Sequence, residues 1–187
     1  MTPEAEDGAA WLRRAGELLA RGVRDRHSNW RTFALATCDA DGPAVRSVAL
    51  RGFERESATV EFWTDRRSAK VASFGNGAAA MFWDPRSHVQ LRLSGRIETA
   101  DASDPAVANV ARGLSDEALL NYATLAPPGA VADHDDPDER GGRAFAMENL
   151  LACRLVPASG DLVHLGLHRH RRFAYRFDPF DWTAVVP

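Results

Sequence analysis

Basic and hydroxyl residues cluster where an apolar segment ends and a short helical pattern begins. Arg66 and Arg67 follow the segment EFWTD, and Ser68 and Lys70 come next in the sequence RRSAK. The N–H groups at a helix start and the positive end of the helix dipole attract anions. Ionised donors add to this attraction, because their hydrogen bonds are about twice as strong as neutral ones. The spacing predicts a phosphate site at this junction, completed by Arg46 from the preceding strand.

Three of these residues are the strongest candidates for direct contact with a phosphate: Arg46, Ser68 and Lys70. Ser68 is expected to cap the short helix through its hydroxyl while also offering a donor. Lys70 lies one turn inside, from where its ammonium group can reach back. For Arg66 and Arg67, the interpretation as an ordinary solvated pair stays open beside the phosphate role.

Arg51 is a further basic residue on the strand that carries Arg46. The two are an odd number of positions apart, so in a regular strand their side chains point to opposite faces. We therefore expect that they do not grip one group together by side chain alone. A guanidinium presents a planar fork of donors, whereas a lysine at the same place would present a point charge.

A second basic cluster lies near the C-terminus in the sequence HLGLHRHRR. His164, His168 and His170 have a spacing that suits a metal ion. The segment HLGLHRHRR itself contains no acidic or cysteine ligand, however, and its arginines, which include Arg172, would repel a divalent cation. We therefore predict no metal site, and we keep Arg51, His164 and His170 as candidates for a catalytic role.

The elements that must position these residues follow from the hydrophobic periodicity. Apolar residues at steps of three and four from Ala9 to Arg26 predict an amphipathic helix within residues 1–27. The period then changes to that of antiparallel strands joined by short turns. The first half predicts strands at 31–38, 44–53, 58–63, 78–83 and 89–99, and a short helix at 68–74.

The second half predicts helices at 104–112 and 115–122, outside the sheet, and then further strands. Those strands span 147–156, 162–167, 173–177 and 182–186, with a turn at Pro157 and Gly160. Residues 126–142 are rich in Pro, Gly and Asp and have too few apolar residues to pack. We expect a flexible loop there, either a solvated connection or a lid. The predicted fold class is mainly β with peripheral helices.

The size and composition of the chain restrict its class. Its 187 residues suffice to bury one core, which predicts a single domain over 1–187. A net charge of −3 with dispersed basic residues argues against a nucleic-acid partner. Cys38 and Cys153 lie far apart and are expected to be buried thiols of a reducing compartment. No apolar run spans a membrane and no signal-peptide pattern is present, so we expect a cytoplasmic protein without a membrane partner.

Four motifs in the middle of the chain resemble the pyridoxamine 5'-phosphate oxidase family of FMN-binding split barrels. The family segments follow the patterns R-x-V-x-L-[KR], [FY]-[YW]-T, S-x-K and Q-V-x-x-x-G. The matching segments here are 46–51, 62–64, 68–70 and 90–95, in the same order. The resemblance implies an antiparallel, Greek-key-like split β-barrel with FMN as cofactor. It covers the middle third of the chain strongly and both ends weakly.

The resemblance also implies roles for individual residues. It implies that Arg46 binds FMN and that Arg51 contacts both FMN and the substrate. The family usually has Lys at the position of Arg51. Trp63 would line the flavin ring, although without the resemblance it is equally interpretable as a core residue, and Thr64 would bond to the ring or the phosphate. Gln90 would reach the ring from a partner subunit, which implies a homodimer with FMN at its interface. The whole implied cofactor set is Arg46, Ser47, Val48, Ala49, Leu50, Arg51, Trp63, Thr64, Arg67, Ser68, Ala69, Lys70, Gln90 and Arg172.

The resemblance is weaker in the substrate-binding part. Oxidases of the family end in a Trp followed by R-x-H-D-R, of which only His170 and Arg172 keep the separation of the final His and Arg. The family's Tyr, Arg and Ser for the substrate phosphate have no match in ARGLSDEALLNYA. We expect an FMN-dependent oxidoreductase with a small-molecule substrate; pyridoxamine or pyridoxine phosphate is one candidate, with weak or absent turnover. The alternatives are a non-catalytic flavin-binding protein and a deazaflavin- or haem-handling protein on the same fold.

Overall fold

The computed structural model describes residues 7–131 and 138–187, which contain nine strands. The strands are β1 (Thr32–Asp39), β2 (Gly42–Ala49), β3 (Gly52–Glu54), β4 (Thr59–Asp65), β5 (Ala78–Asp84), β6 (Val89–Ala100), β7 (Leu150–Leu165), β8 (His170–Phe177) and β9 (Phe180–Val185). All pair antiparallel, in the order β2-β1-β5-β6-β7-β4-β3, and β8 joins β7 to β9. The prediction of a mainly β fold with peripheral helices is confirmed.

Helices lie around this sheet. They are α1 (Gly8–Arg24), α2 (Pro105–Gly113), α3 (Asp116–Leu119) and α4 (Arg143–Asn149), with 3₁₀ turns at Asn29–Arg31, Ala69–Asn76 and Leu120–Tyr122. The predicted N-terminal helix is confirmed by α1, which buries Trp11, Ala15 and Leu19 against the sheet. Residues 1–6 of that prediction lie outside the described residues. The helices predicted after β6 are confirmed by α2 and by α3 with its following turn.

Two apolar cores lie on opposite faces of the central strands. Because side chains alternate along a strand, the inward residues of β7, Leu151, Cys153 and Leu155, join the main core, while Leu150 and Ala152 point outward. The outward residues form a smaller core with the helices of the second half. The members of that smaller core are Val107, Leu119, Tyr122, Ala123, Ala146, Leu150 and Ala152.

The central strand β7 continues through Pro157 and Gly160, where the sequence predicted a turn. That prediction is wrong because a β-bulge accommodates these residues within the strand. The pairing of β6 with β7 shifts between Ser94 and Gly95, which leaves Ala158 as an extra residue on β7. A Cβ on Gly95 would collide with the β7 backbone, so the close approach at the bulge requires the glycine that ends QLRLSG.

Two other predicted strands have different bounds. The strand predicted at 147–156 begins at Leu150, since the residues before it complete α4. The strand predicted at 44–53 is broken at Leu50 and Arg51, which belong to neither β2 nor β3. Arg46 and Arg51 were expected to point to opposite faces because side chains alternate along a strand. The break means that this argument does not apply to them, because alternation holds only along an unbroken strand.

The cysteines differ from each other in burial. Cys153 is buried in the main core, as predicted, but Cys38 is exposed, and both thiols are free. The prediction for Cys38 is wrong because the residue lies near the end of β1, where the strand pattern leaves its last two positions exposed. Burial raises the pKa of the Cys153 thiol to about 12.

Residues 126–142, predicted to be a flexible loop, include residues 132–137, which lie outside the described part of the chain. The described ends of this segment are held together. Thr124 and Arg140 form an isolated antiparallel bridge. The N–H of Leu125 donates to the carbonyl oxygen of Glu139 at 2.8 Å. Among the described helices, none is long and apolar enough to span a membrane.

Candidate functional site

Arg46 lies on β2, and its side chain turns toward the neighbouring strand β1. Its Nη1 donates to the carbonyl oxygen of Leu35 at 3.2 Å and to Oγ1 of Thr37 at 2.7 Å. The hydroxyl of Ser73, from the 3₁₀ turn after β4, lies 3.0 Å from the same Thr37 oxygen. Thr37 and Ser73 are buried, so they form a polar floor beside the Arg46 guanidinium.

Lys70 brings a second cation to this floor. Its Nζ donates to Oγ of Ser68 at 2.7 Å. Burial and the nearby charge of Arg46 lower the pKa of Lys70 below its ordinary value. Neither Arg46 nor Lys70 forms an ion pair with any described residue. We call this group the cation cluster; its members are Arg46, Lys70, Ser68, Thr37 and Ser73.

The cation cluster unites the three residues predicted to contact a phosphate, with one local difference. Ser68 precedes the 3₁₀ turn, but its side chain makes no capping hydrogen bond. The predicted cap is wrong because the Ser68 hydroxyl accepts from Lys70 instead. Thr37 and Ser73 were missed by the sequence argument; Ser73 stands three positions after Lys70, which was the available signal.

Arg67 is engaged by other parts of the chain. Its guanidinium forms an ion pair with the buried Asp65 at 2.6 Å. It also donates to the carbonyl oxygens of Thr124 and Leu125 at 2.8 and 3.0 Å. The ring of Phe145 lies 5.1 Å from its central carbon. Arg67 thus anchors the backbone at Thr124 and Leu125. Its main partner, Asp65, was not singled out in the sequence.

Arg51 lies at the break between β2 and β3, beside an aromatic pair. Its guanidinium carbon stands 5.1 Å from the centre of the Trp63 ring. The nearby Tyr122 hydroxyl has a pKa that is raised by burial and lowered to a smaller extent by Arg51. The indole N–H of Trp63 donates to Glu61 at 3.2 Å. Trp63 packs at the edge of the smaller core, so the structure gives it a packing role beside any ligand role.

Gln90 lies on the outer face of β6, opposite Trp83 of β5. Trp83 and its neighbour on the same face, Met81, are 37% and 41% exposed. Ala34 of β1 pairs with Met81 and presents only a small side chain beside it. The outer face of these three strands thus carries exposed apolar side chains beside a neutral amide, with Arg92 opposite Met81, and exposed apolar groups rimmed by polar residues are typical of a protein interface.

The second basic cluster lies on β7, β8 and the turn between them. Two hydrogen bonds from Nε and one from Nη2 tie Arg172 to Asp161, at 3.2, 3.1 and 2.8 Å. His170 is exposed at the start of β8. His164 stacks on Trp11 of α1, with ring centres 4.7 Å apart. The recorded contacts of these residues do not include a member of the cation cluster.

The remaining predicted cofactor residues flank the cation cluster or the Arg51 break. They are Ser47, Val48 and Ala49 on β2, Leu50 at the break, Thr64 on β4 and Ala69 at the 3₁₀ turn. Leu50 and Thr64 are buried. In residues 7–131 and 138–187, no group of three or more His, Cys, Asp or Glu side chains could hold a metal ion.

Comparisons with known families and with curated proteins give matches to the same family. Residues 10–101 match the family model described as pyridoxamine 5'-phosphate oxidase, FMN-binding domain. A pyridoxine/pyridoxamine 5'-phosphate oxidase of Psychrobacter arcticus is 35% identical over 130 residues, 67% of this chain and 55% of the relative. Pyridoxine/pyridoxamine 5'-phosphate oxidase 2 of Arabidopsis thaliana is 39% identical over 82 residues, 42% of this chain and 40% of the relative. The chain thus spans about half the length of the curated relatives it matches.

Solved structures extend the likeness to the whole chain. A pyridoxamine 5'-phosphate oxidase-related, FMN-binding protein of Nostoc punctiforme is 25% identical, with a TM-score of 0.72 over 100% of this chain and 98% of the other. PhzG of Burkholderia lata, solved with tetrahydrophenazine-1-carboxylic acid, is 22% identical, with a TM-score of 0.71 over the same shares. The second likeness concerns the fold alone.

Proposed function

Since the chain belongs to the pyridoxamine 5'-phosphate oxidase-like family of FMN-binding split barrels, we propose that it binds FMN and acts as an FMN-dependent oxidoreductase on a small molecule. The observation that carries this proposal is the cation cluster. Arg46 and Lys70 converge beside three hydroxyl groups without an acidic partner among the described residues. A half-buried pair of like charges is unfavourable until an anion joins it.

The cation cluster suits the terminal phosphate of FMN. A phosphate monoester carries nearly two negative charges, which the two cations would balance, and its oxygens accept the remaining N–H groups of Arg46 and Lys70. The hydroxyls of Ser68, Thr37 and Ser73 already accept or exchange hydrogen bonds within the cluster. In this proposal Arg67 contributes indirectly, by fixing Asp65 and the backbone that leads into the 3₁₀ turn.

Bound FMN would supply a ring that takes up a hydride from the substrate and passes the electrons to an acceptor. The part of the chain that we assign to the ring is the Arg51 break. The Trp63 ring packs against the Arg51 guanidinium, and the Tyr122 hydroxyl lies close enough for Arg51 to influence its pKa. A cation fixed there would stabilise negative charge on the reduced ring, because a preorganised charge needs no rearrangement when the electrons arrive.

We also propose that the protein is a homodimer in which Gln90 completes the site of the partner. The exposed apolar side chains of Met81 and Trp83 lie beside Gln90 and Arg92 on this face and would be covered by a second copy. Such an isologous interface is the commonest arrangement of soluble oligomers. It would place a neutral amide, able to donate and accept at once, against the flavin ring.

Titration of FMN into the apo-protein tests the cofactor assignment. Lys70→Ala and Arg46→Ala should each weaken FMN binding roughly tenfold to a hundredfold, because each removes one charge-assisted contact. Riboflavin, which lacks the phosphate, should bind the wild type and these variants alike. Quenching of flavin fluorescence measures both ligands.

Arg66→Ala is the matched control, since Arg66 is an exposed cation of the same segment that pairs with Asp101 at 3.4 Å. Its FMN affinity should equal that of the wild type. Wild-type affinity in Lys70→Ala, or equal losses for FMN and riboflavin, would contradict the assignment of the phosphate to the cation cluster.

Substrate turnover separates the oxidoreductase from a protein that only stores flavin. The curated relatives are named for oxidation of pyridoxine and pyridoxamine phosphates, so these are the first substrates to assay with the FMN-loaded protein. We expect weak turnover of both, because α2 and α3 lack the phosphate-binding residues expected of such an oxidase. A bound flavin that none of the assayed substrates reduces would favour the storage role.

A further inference from the structure

A separate cavity lies beneath α1 and shares no residue with the cation cluster. Its volume is about 310 Å³, and it opens between α1 and the turn from β3 to β4. Leu12 and Gly16 line it on the helix side, and Phe53, Leu91 and Leu93 line it on the sheet side. Ligand sites for small molecules have volumes of roughly 300 to 1,000 Å³.

The inner wall of this cavity is apolar. Its partly buried apolar side chains, Leu12, Phe53 and Phe177, pack against the main core, in which Leu91 and Leu93 lie fully buried behind them. Protein interiors are normally close-packed, and atoms that face a void lose their dispersion contacts. An apolar ligand group in the cavity would restore those contacts.

Gly16 lets the side chains of Arg55 and Phe53 lie close to α1 at the edge of the cavity. Glycine is unfavourable in the interior of a helix, so its presence there calls for a local reason. A Cβ at Gly16 would lie 3.2 Å from Nη1 of Arg55 and 3.6 Å from the ring of Phe53. Any larger side chain at this position would therefore enter the space between α1 and these two residues.

The mouth of the cavity carries one unpaired guanidinium. The side chain of Arg55 has no hydrogen bond or ion pair within residues 7–131 and 138–187. Arg13, also at the mouth, has a partner, Asp7, at 3.8 Å. A guanidinium fork matches the two oxygens of a carboxylate. Glu56, beside Arg55 at the mouth, disfavours a ligand with a second negative charge.

We propose that this cavity binds a small amphipathic monocarboxylate. The apolar part of the ligand lies against Leu12, Phe53 and Phe177, in front of the buried Leu91 and Leu93, and its carboxylate pairs with Arg55. The class of ligand follows from the combination of an apolar interior with a single unpaired fork of donors at the mouth. The site is independent of flavin binding and of the reaction proposed above.

Octanoate and 1-octanol are suitable probes, because they share a chain and differ in charge. We expect octanoate to bind the full chain about tenfold or more tighter than octanol, as one charge-assisted contact would give. In methyl NMR spectra, octanoate should shift the signals of Leu12, Leu91 and Leu93. Equal affinity for the two probes, or shifts confined to other methyl groups, would overturn the proposal.

Two variants separate the apolar part from the charged part. Gly16→Leu fills the cavity and should abolish binding of both probes, whereas Arg55→Gln should reduce octanoate binding about tenfold and leave octanol unchanged. Arg86→Gln, which removes an exposed arginine from another turn, is the control and should bind as the wild type does. Undiminished octanoate binding in Arg55→Gln would overturn the proposal even if Gly16→Leu failed to fold.

Discussion

The charge of Lys70 would favour phosphate binding, but it should lower the stability of the apo-protein. Its pKa is lowered from 10.5 by burial and by Arg46. At a pH below the pKa values of Lys70 in both the folded and the unfolded protein, its charged side chain is less favourable in the folded protein than in the unfolded chain. The free energy of unfolding therefore rises as the pH climbs through the window between the two values.

Lys70→Met should stabilise the apo-protein at neutral pH, because it removes the half-buried charge and keeps the apolar stem. The advantage over the wild type should shrink as the pH approaches 10.5, where the wild-type lysine loses its proton. Urea unfolding of both proteins between neutral pH and that value measures the effect. A variant less stable than the wild type at neutral pH would show that the Lys70 charge is already compensated in the fold.

Removal of the Arg67 charge should destabilise the protein, in contrast to Lys70, because the partner of Arg67 is a buried carboxylate. The Asp65 side chain is 3% exposed and bonds to Arg67 at 2.6 Å. Arg67→Met would leave this charge without its partner, so we expect a loss of about 3 kcal/mol in the free energy of unfolding. Chemical denaturation measures that loss.

The neighbouring Arg66 provides the comparison for this prediction. Its ion pair with Asp101 is exposed, and Arg66→Met should cost less than about 1 kcal/mol. The double variant Asp65→Asn/Arg67→Met should recover part of the stability, since the unpaired charge is then gone. Equal losses in Arg66→Met and Arg67→Met would mean that Asp65 finds another donor.

At the scale of elements, the contact of α1 with the sheet includes a stacked imidazole. His164 of β7 stacks on Trp11 of α1, and its Nδ1 is buried without a hydrogen bond to the described residues. The pKa of His164 is lowered from 6.5, first by burial and then by four cationic neighbours. These neighbours are Arg171 and His170 of β8, Arg14 of α1 and His88 of the turn before β6.

His164→Phe should reduce the acid sensitivity of the fold. The unfolded chain takes up a proton at this residue before the folded chain does, so the wild type loses stability as the pH falls below 6.5. Phenylalanine keeps the stack on Trp11 and cannot take up a proton. The free energy of unfolding of the variant, measured at pH values on both sides of 6.5, should therefore change less than that of the wild type.

The exposed His168, on the turn between β7 and β8, supplies the control. His168→Gln should retain the full wild-type change with pH. If His164→Phe retained it too, the acid sensitivity would arise from other groups, and α1 would not depend on the charge state of His164.

At the scale of the whole molecule, the exposed face of β5 predicts the oligomeric state. Trp83→Glu should convert a dimer into a monomer, because a charge in an apolar interface loses its hydration without gaining a partner. The same variant should bind FMN more weakly, since Gln90 of each copy would no longer reach the other site. Light scattering and flavin content of the purified protein measure the two effects.

Leu120→Glu is the control for this prediction. Leu120 is also a partly exposed apolar residue, at 42%, but it lies on the 3₁₀ turn of the peripheral helices. It should leave the assembly unchanged. A wild-type monomer that retains one FMN per chain would show that one copy builds the whole site.

The sequence by itself determined the local parts of this protein. It identified α1 from its apolar stripe, the mainly antiparallel strands from their alternation, and Arg46, Ser68 and Lys70 as one group. The helix and the strands depend on residues that are neighbours along the chain or lie on adjacent strands joined by a short turn, whereas Arg46 was grouped with Ser68 and Lys70 by the order of the motifs. Short-range spacing sets the geometry of these elements, so their geometry can be predicted from the order of the amino acids. The single domain over 1–187 stays a prediction.

The tertiary structure alone decided the contacts between distant segments. It brought Thr37 beneath Arg46 and Ser73, set Tyr122 against Arg51, and carried β7 through Pro157 by a bulge. Strand alternation predicts which faces are apolar, but it does not state which strands pair or in which register. Register is settled by packing of the whole core, in which each strand's partner lies far away in the sequence. For this reason Arg46, Ser68 and Lys70 could be expected to lie together, and their contact with a phosphate stays a prediction, whereas the polar floor beneath them was found only in the folded chain.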